Sequence, residues 1–470
     1  MSESEPIAAA RPPVPSTVVD DEDRLRPQFV DKVLDAVEAG DDETARRLVE
    51  PLHPADVADL IEAAARDERD GLVKALAGIV SPDVLAELND FVREDLLDAM
   101  EPQQVADIAG QLDTDDAVAL IEDLDDDDQR AVLQRMEPDD RAAVEEALSY
   151  PEESAGRLMQ RDLIAVPEHW KVGAIIDFLR KTPDLADDFW EIFVVSPGHH
   201  PVGTCKLSSI LRARRETPVS DIMLREQTLI PVDMDQEDVA LRFQKYALVS
   251  AAVTDASGRL VGMITVDDVV HIISEEAGED VLLLSGVGDE GDINEPVTES
   301  YRSRVRWLIA NLVTALSAAA IIRQFIGSIE HLAVLAALGP IVAGVGGNAG
   351  TQTLAVTVRA FATNQLTGSN RWRAVSREIR VALLNGITIA ILLGLGVTLV
   401  LGSWPLGLVI GTAMMVNIVT AGCAGVLVPL ALERAGADPA VASSVFLTMI
   451  TDSMGYFAVL GLATVSGIVG

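Results

Sequence analysis

The chain has 470 residues with 36 basic and 74 acidic side chains, a net charge of −38 that repels nucleic acid and excludes it as a partner. Residues 301–470 hold 10 Arg, no Lys and 5 acids, so this apolar part carries +5 and the first 300 residues −43. Cys205 and Cys423 stand far apart, which excludes a disulfide framework or a cysteine metal site.

Residues 1–27, rich in Pro, Ala and Ser and without the basic-then-apolar layout of a secretory signal, are expected to form a flexible tail. Residues 28–150 repeat a short theme: a Pro-Asp or Asp-Asp start, apolar residues at helical spacing, then an acidic break. Copies include HPADVADLIEAA from His53, EPQQVADIAGQL from Glu101 and DTDDAVALIEDL from Asp113. Pro in a first turn and Asp beside a helix N-terminus are start signals, and units that each bury one stripe predict a small superhelical stack. Its acids read as helix caps or as a cation-gathering face, and composition leaves both open.

Over residues 151–275 short β runs alternate with helices. AAVTDASGRLVGMITVDDVVHII from Ala251 reads as strand, Ser-Gly turn, strand and acid-capped helix, and VVSPGHHPVGTCKLSSIL repeats the outline earlier. This looks like a tandem of CBS (cystathionine-β-synthase) modules with an eroded first copy, His199 and His200 lying in its turn. Thr265 and Asp268 match the T-x-x-D with which such modules hold nucleotide, so ATP or another adenine nucleotide is a candidate cofactor. Residues 276–300 form an acidic amphipathic helix and a Gly-rich linker.

Five apolar stretches long enough to span a bilayer follow, at about 307–329, 332–358, 381–402, 406–432 and 440–470. Arg302, Arg304 and Arg306 precede the first, and Arg359, Arg371, Arg373, Arg377 and Arg380 separate the second from the third. The positive-inside rule places these and the N-terminus in the cytosol and the C-terminus outside a cytoplasmic membrane.

The last stretch contains Asp452, whose nearest acidic neighbour in sequence is Asp438. A carboxylate at that depth costs at least about 2.5 kcal/mol and persists mainly where it faces a partner, a water path or an ion. GGNAGTQT, from Gly346, is expected to weaken its helix locally and to line a cavity through Asn348 and backbone groups. Asn311, Asn385 and Asn417 read as helix-packing glue. A small dication that sheds water reluctantly suits a carboxylate acting through the ion's own water, and two copies of Asp452 across a dimer axis match its charge. A proton relay would show several titratable groups in series, and the spans offer one. Soft-metal ligands are absent beside Asp452 apart from Met449 and Met454. No Walker loop or paired nucleophile occurs, so no enzyme is expected.

The order of these features resembles the MgtE magnesium channel/transporter family: an acidic helical repeat, SYPEESAGRLM, GRLVGMITVDDVV, EEAGEDV, RVRWL, GGNAGTQT and ADPAVASSVFLTMITDSMGYFAVLGLA. The resemblance implies a mixed architecture: a cytosolic α-helical superhelical domain, an α/β CBS pair and a five-helix transmembrane domain. It implies a homodimer conducting Mg²⁺ past Asp452, with Asn348 lining the pore, inhibited by cytosolic Mg²⁺ at Asp235, Glu237, Asp268, Glu276, Glu279 and Asp280. The chain departs from the family at His271, where an acid is usual, and at PGHHPVG. Transport of Mn²⁺ or Co²⁺, cation-coupled exchange, and a membrane-tethered sensor that conducts nothing are the alternatives.

Overall fold

A computed structural model describes residues 18–21, 24–182, 185, 189–288, 291–366, 370–441 and 443–469, and it forms two compact units, Met1–Val270 and His271–Gly470. Most of the expected tail, residues 1–17, 22 and 23, lies outside the described residues. Its last part is folded back: Val19 bridges Leu25, and Arg26 Nε donates to the Val19 carbonyl at 2.8 Å.

Ten short helices follow among the described residues, from α1 (Pro27–Glu38) to α10 (Pro138–Ala147). Pro27, Pro54, Pro82, Pro102 and Pro138 each open one, where the missing N–H has no helical partner to lose. Each helix turns one stripe inward, so Leu60, Ile61, Leu72, Leu76, Leu120 and Ile121 are wholly buried. Arg93 is buried among them, donating to Asp123 at 2.7 Å, to Asp90 at 2.6 Å and to the Leu88 carbonyl at 3.3 Å, so its charge is fully partnered.

Two β-α units follow, and the first compact unit ends at Val270 within the last of their helices. One contains β1 (Ala165–Pro167), α11 (Val172–Lys181), β2 (Glu191–Val195), β3 (Pro201–Lys206) and α12 (Leu207–Arg212). The other contains β4 (Leu229–Pro231), α13 (Gln236–Tyr246), β5 (Ser250–Thr254), β6 (Leu260–Thr265) and α14 (Val266–Ser285). Each sheet has one parallel and one antiparallel pairing, in the orders β1-β2-β3 and β4-β5-β6, with an irregularity at Val194/Val195 in one and Val253/Thr254 in the other. Phe193, Ala252, Leu260 and Met263 pack together, joining the two sheets. His200 Nδ1 lies 2.8 Å from the Gly258 carbonyl in the turn of the second copy, which gives the PGHHPVG turn a packing role.

The second unit contains α15 (Val297–Gln324), a short α16 (Ile326–His331), α17 (Val334–Ala362), α18 (Arg371–Leu401), α19 (Trp404–Ala435) and α20 (Ser443–Val465). All but α16 are long and apolar enough to cross a bilayer. The third span begins at Arg371, earlier than the apolar run suggests, because the arginine-rich segment is itself helical. Leu312, Leu316, Leu384, Ile391 and Leu395 on α15 and α18 are exposed, whereas α17, α19 and α20 bury more of their surface.

The expected local weakening at GGNAGTQT is not what the chain does: α17 runs unbroken through it. Its glycines serve close packing instead. A Cβ on Gly346 would run into Asn417 Nδ2, and one on Gly350 would lie 2.8 Å from Leu447.

Candidate metal sites

Asp452 is half-buried on α20. Among the described residues it forms neither a hydrogen bond nor an ion pair. Helices α17 and α20 run antiparallel in close contact, Tyr456 beside Gly339, Gly455 on Ala343, Thr451 near Gly347 and Leu447 on Gly350. This register places Asp452 at the depth where GGNAGTQT begins. Asn348 lies on an exposed stripe of α17 with Gly344 and Thr351, polar and small groups turned away from their own bundle. Asn417 behaves differently: it is wholly buried and donates from Nδ2 to the Val342 carbonyl at 2.8 Å, tying α19 to α17. Asn311 and Asn385 are exposed and do not act as buried glue within the chain. A carboxylate with no protein donor keeps its own hydration, and such a group engages a hydrated dication through water.

A second acidic centre joins the helical repeat to the β-α pair. The first turn of α8 (Thr114–Glu122) carries Asp115 and Asp116, and Asp268 stands in the first turn of α14. Gln160 Nε2 donates to Asp115 Oδ2 at 3.4 Å and to Asp268 Oδ2 at 3.3 Å, and Thr265 Oγ1 donates to Asp268 Oδ2 at 2.6 Å. Asp115 Oδ1 is shielded from water and accepts nothing. Burial, reinforced by the charge of Asp268, pushes Asp115 well above the usual carboxylate range. Burial and then the charges of Asp268 and Asp113 push Asp116 up to about 6. Asp268 is itself raised by burial despite the Thr265 hydrogen bond. A raised pKa stabilises the arrangement below the ordinary carboxylate range and withdraws that stability as pH rises through about 6. No three metal-ligating side chains converge there among the described residues. Thr265 and Asp268, matched to nucleotide binding in the sequence, are engaged here. A separate cavity of about 310 Å³ between the two β-α units is bounded by Arg161, Phe178, His199 and Leu260.

The far half of α14 holds the remaining acids. Asp280 is pushed up to about 6 by burial and by Asp438, which precedes α20 and accepts from the Ala440 amide at 2.8 Å. Leu283, one turn on, packs with Leu354, Val358 and Leu447, so this half of α14 abuts α17 and α20. Glu276 and Glu279 are half-buried on the same helix and His271 is exposed. Asp235 is placed otherwise: it caps α13, its Oδ1 accepting from the Glu237 amide at 2.9 Å. Sequence reasoning missed Asp115, Asp116 and Asp438 as partners of Asp268 and Asp280. The DTDD run was the available signal, and it reads equally well as a helix cap.

Comparison with known proteins places all three regions. A family model described as a divalent cation transporter, MgtE, matches residues 339–462; one for the MgtE intracellular N domain matches 52–153; and one for the CBS domain matches 219–275. A magnesium transporter MgtE from Enterococcus faecalis is 36% identical over 396 residues, covering 82% of this chain and 86% of that protein. Its counterpart from Thermus thermophilus is 32% identical over 325 residues, covering 68% and 71%. A crystal structure of the cytosolic domain of the Mg²⁺ channel MgtE in complex with ATP is 28% identical, covering 52% of this chain and 99% of that one at a TM-score of 0.48.

Proposed function

This chain belongs to the MgtE family of divalent cation transporters, and we propose that it forms a homodimeric pore that passes Mg²⁺ down its electrochemical gradient across the cytoplasmic membrane. The soluble domains lie in the cytosol and the C-terminus outside, as the arginines at the ends of α15, α17 and α18 favour. The single observation that carries the reading is Asp452, a carboxylate in a membrane-spanning helix with no protein partner among the described residues. Two copies across a dimer axis hold one hydrated dication through its water, with Asn348 on the same path.

Regulation follows from the other acids. When Mg²⁺ is plentiful in the cytosol it takes up the charge shared by Asp115, Asp116 and Asp268, and that shared by Asp280 and Asp438 with Glu276 and Glu279 beside them. Both centres lie along α14, so ions bound at them bias one helix toward the state that shuts the pore. An adenine nucleotide at the CBS pair is the remaining cofactor of this reading, tested by ATP titration with and without Mg²⁺.

Mg²⁺ flux into vesicles holding the purified chain tests the whole. Asp452→Ala, checked for folding and dimer formation, is expected to abolish uptake. Uptake equal to that of the unsubstituted chain would remove the pore assignment, and uptake of Mn²⁺ or Co²⁺ in preference to Mg²⁺ would move it to another ion.

A further inference from the structure

A cleft of about 680 Å³ opens where α17 ends and α18 begins. It is bounded by Arg359, Arg373, Arg377 and Arg380 together with a single acid, Glu378, which is buried and paired with Arg377. The neighbouring Arg371 does not share in it, being paired with Glu433. Among the described residues neither Arg359 nor Arg373 forms an ion pair or a side-chain hydrogen bond. A cleft with three uncompensated guanidinium groups repels the metal ions on which the rest of the chain acts and is built for an anion.

Its depth identifies the kind of anion. Trp372, in the same first turn of α18, is 78% exposed, as an aromatic ring is at the headgroup level. About three to five turns further along the helix, Leu384, Ile387 and Ile391 are exposed and apolar, the surface a helix offers to acyl chains. The cleft shares Val356, Arg377 and Glu378 with a second cavity of about 210 Å³, which continues between α17, α18 and α19 and carries the amides of Gln352 and Asn385. Guanidinium groups at headgroup depth, two amides a turn or more below them and an apolar helix face beyond match, in order, a phosphate, the glycerol esters and the fatty acyl chains of a phospholipid.

We propose that this cleft is a binding site for an anionic phospholipid, with the phosphate held by Arg359 and Arg373. A zwitterionic lipid fits it less well, because its ammonium would meet Arg377 and Arg380 after one phosphate had been satisfied.

The test uses the full chain, delipidated in detergent and returned to nanodiscs of phosphatidylcholine alone or with phosphatidylglycerol, with bound lipid counted by native mass spectrometry. The unsubstituted chain is expected to retain phosphatidylglycerol in preference to phosphatidylcholine, and Arg359→Gln with Arg373→Gln to lose about tenfold or more of that preference. Arg359→Lys with Arg373→Lys, which keeps the charge, retains part of it. Absence of any preference in the unsubstituted chain overturns the proposal whether or not the glutamine variant folds. So does undiminished preference in the glutamine variant, or displacement of the lipid by millimolar inorganic phosphate, which would make the cleft a site for free phosphate. Since bound lipid is counted without ion flux, failure here is separable from failure of the pore assignment.

Discussion

The first compact unit and the membrane-spanning helices spend their carboxylates in opposite ways. In the first unit burial, reinforced by neighbouring carboxylates, holds Asp113, Asp115, Asp116 and Asp268 above the ordinary carboxylate range. Among the membrane-spanning helices one acid, Asp452, stands without a protein partner among the described residues. On the proposed reading, the difference follows from what each does with the same ion. A sensor has to hold its ion long enough to shift an equilibrium, which needs several charges. A pore has to release it, and each extra charge at membrane depth costs folding energy.

The sharpest break of this comparison exchanges the two kinds of acid by substitution. Asp452→Asn is expected to lower Mg²⁺ flux about a hundredfold at low cytosolic Mg²⁺, the scale of one lost charge-assisted interaction of about 3 kcal/mol. Neutralising Asp115, Asp116 and Asp268 to Asn together leaves that flux intact and raises the Mg²⁺ needed for inhibition. Patch recordings against internal Mg²⁺ separate the two effects. A loss of open-pore flux in the triple variant would erase the division of labour.

Next in size is a test of how the membrane unit is held together without such charges. Gly346 faces the wholly buried Asn417, which leaves no room for a side chain. Gly346→Val is expected to cost about 3 kcal/mol through overpacking and to separate α17 from α19, lowering the unfolding temperature in detergent. An unchanged melting curve would show that this close approach is not needed.

The pH dependence probes the gathered acids directly. With Asp116 and Asp280 raised to about 6, protons occupy these carboxylates below that value, and in the proposed regulation Mg²⁺ must displace them. The Mg²⁺ needed to protect the soluble domains from protease is expected to rise severalfold from pH 7.5 to pH 5.5. Without Mg²⁺ the sign reverses: the centre that joins α8 to α14 is more stable at pH 5.5 and loosens as pH rises through about 6. A midpoint that stays flat across this range would mean that these carboxylates do not bind the regulatory ion.

How far the sequence reveals this depends on whether a residue's meaning is local. Pro27, Pro54, Pro82, Pro102 and Pro138 mark helix starts because the first turn alone decides whether Pro is tolerated. The two β-turn-β outlines likewise reappear as matching sheets. Asp452 is legible because the surrounding apolar run sets the cost of its charge. GGNAGTQT misled at the level of the backbone, since glycine loosens an isolated helix and tightens one packed against Asn417 and Leu447. The partners Asp115 and Asp116 were hidden for the same reason, their meaning residing in Asp268, more than a hundred residues away.

Asp235 gives the smallest effect and the finest discrimination. Family resemblance makes it a sensor, whereas its exposed carboxylate accepts the Glu237 amide at 2.9 Å and caps α13. A cap removed by Asp235→Ala costs about 1 kcal/mol, read as a small fall in the melting temperature of the soluble unit. The Mg²⁺ midpoint for inhibition should then stay within about twofold, and Asp235→Asn, which still caps, should restore the stability. A midpoint shifted tenfold in both variants, with stability intact in the second, would instead put the charge of Asp235 in an ion site and extend the sensor beyond the acids gathered along α14.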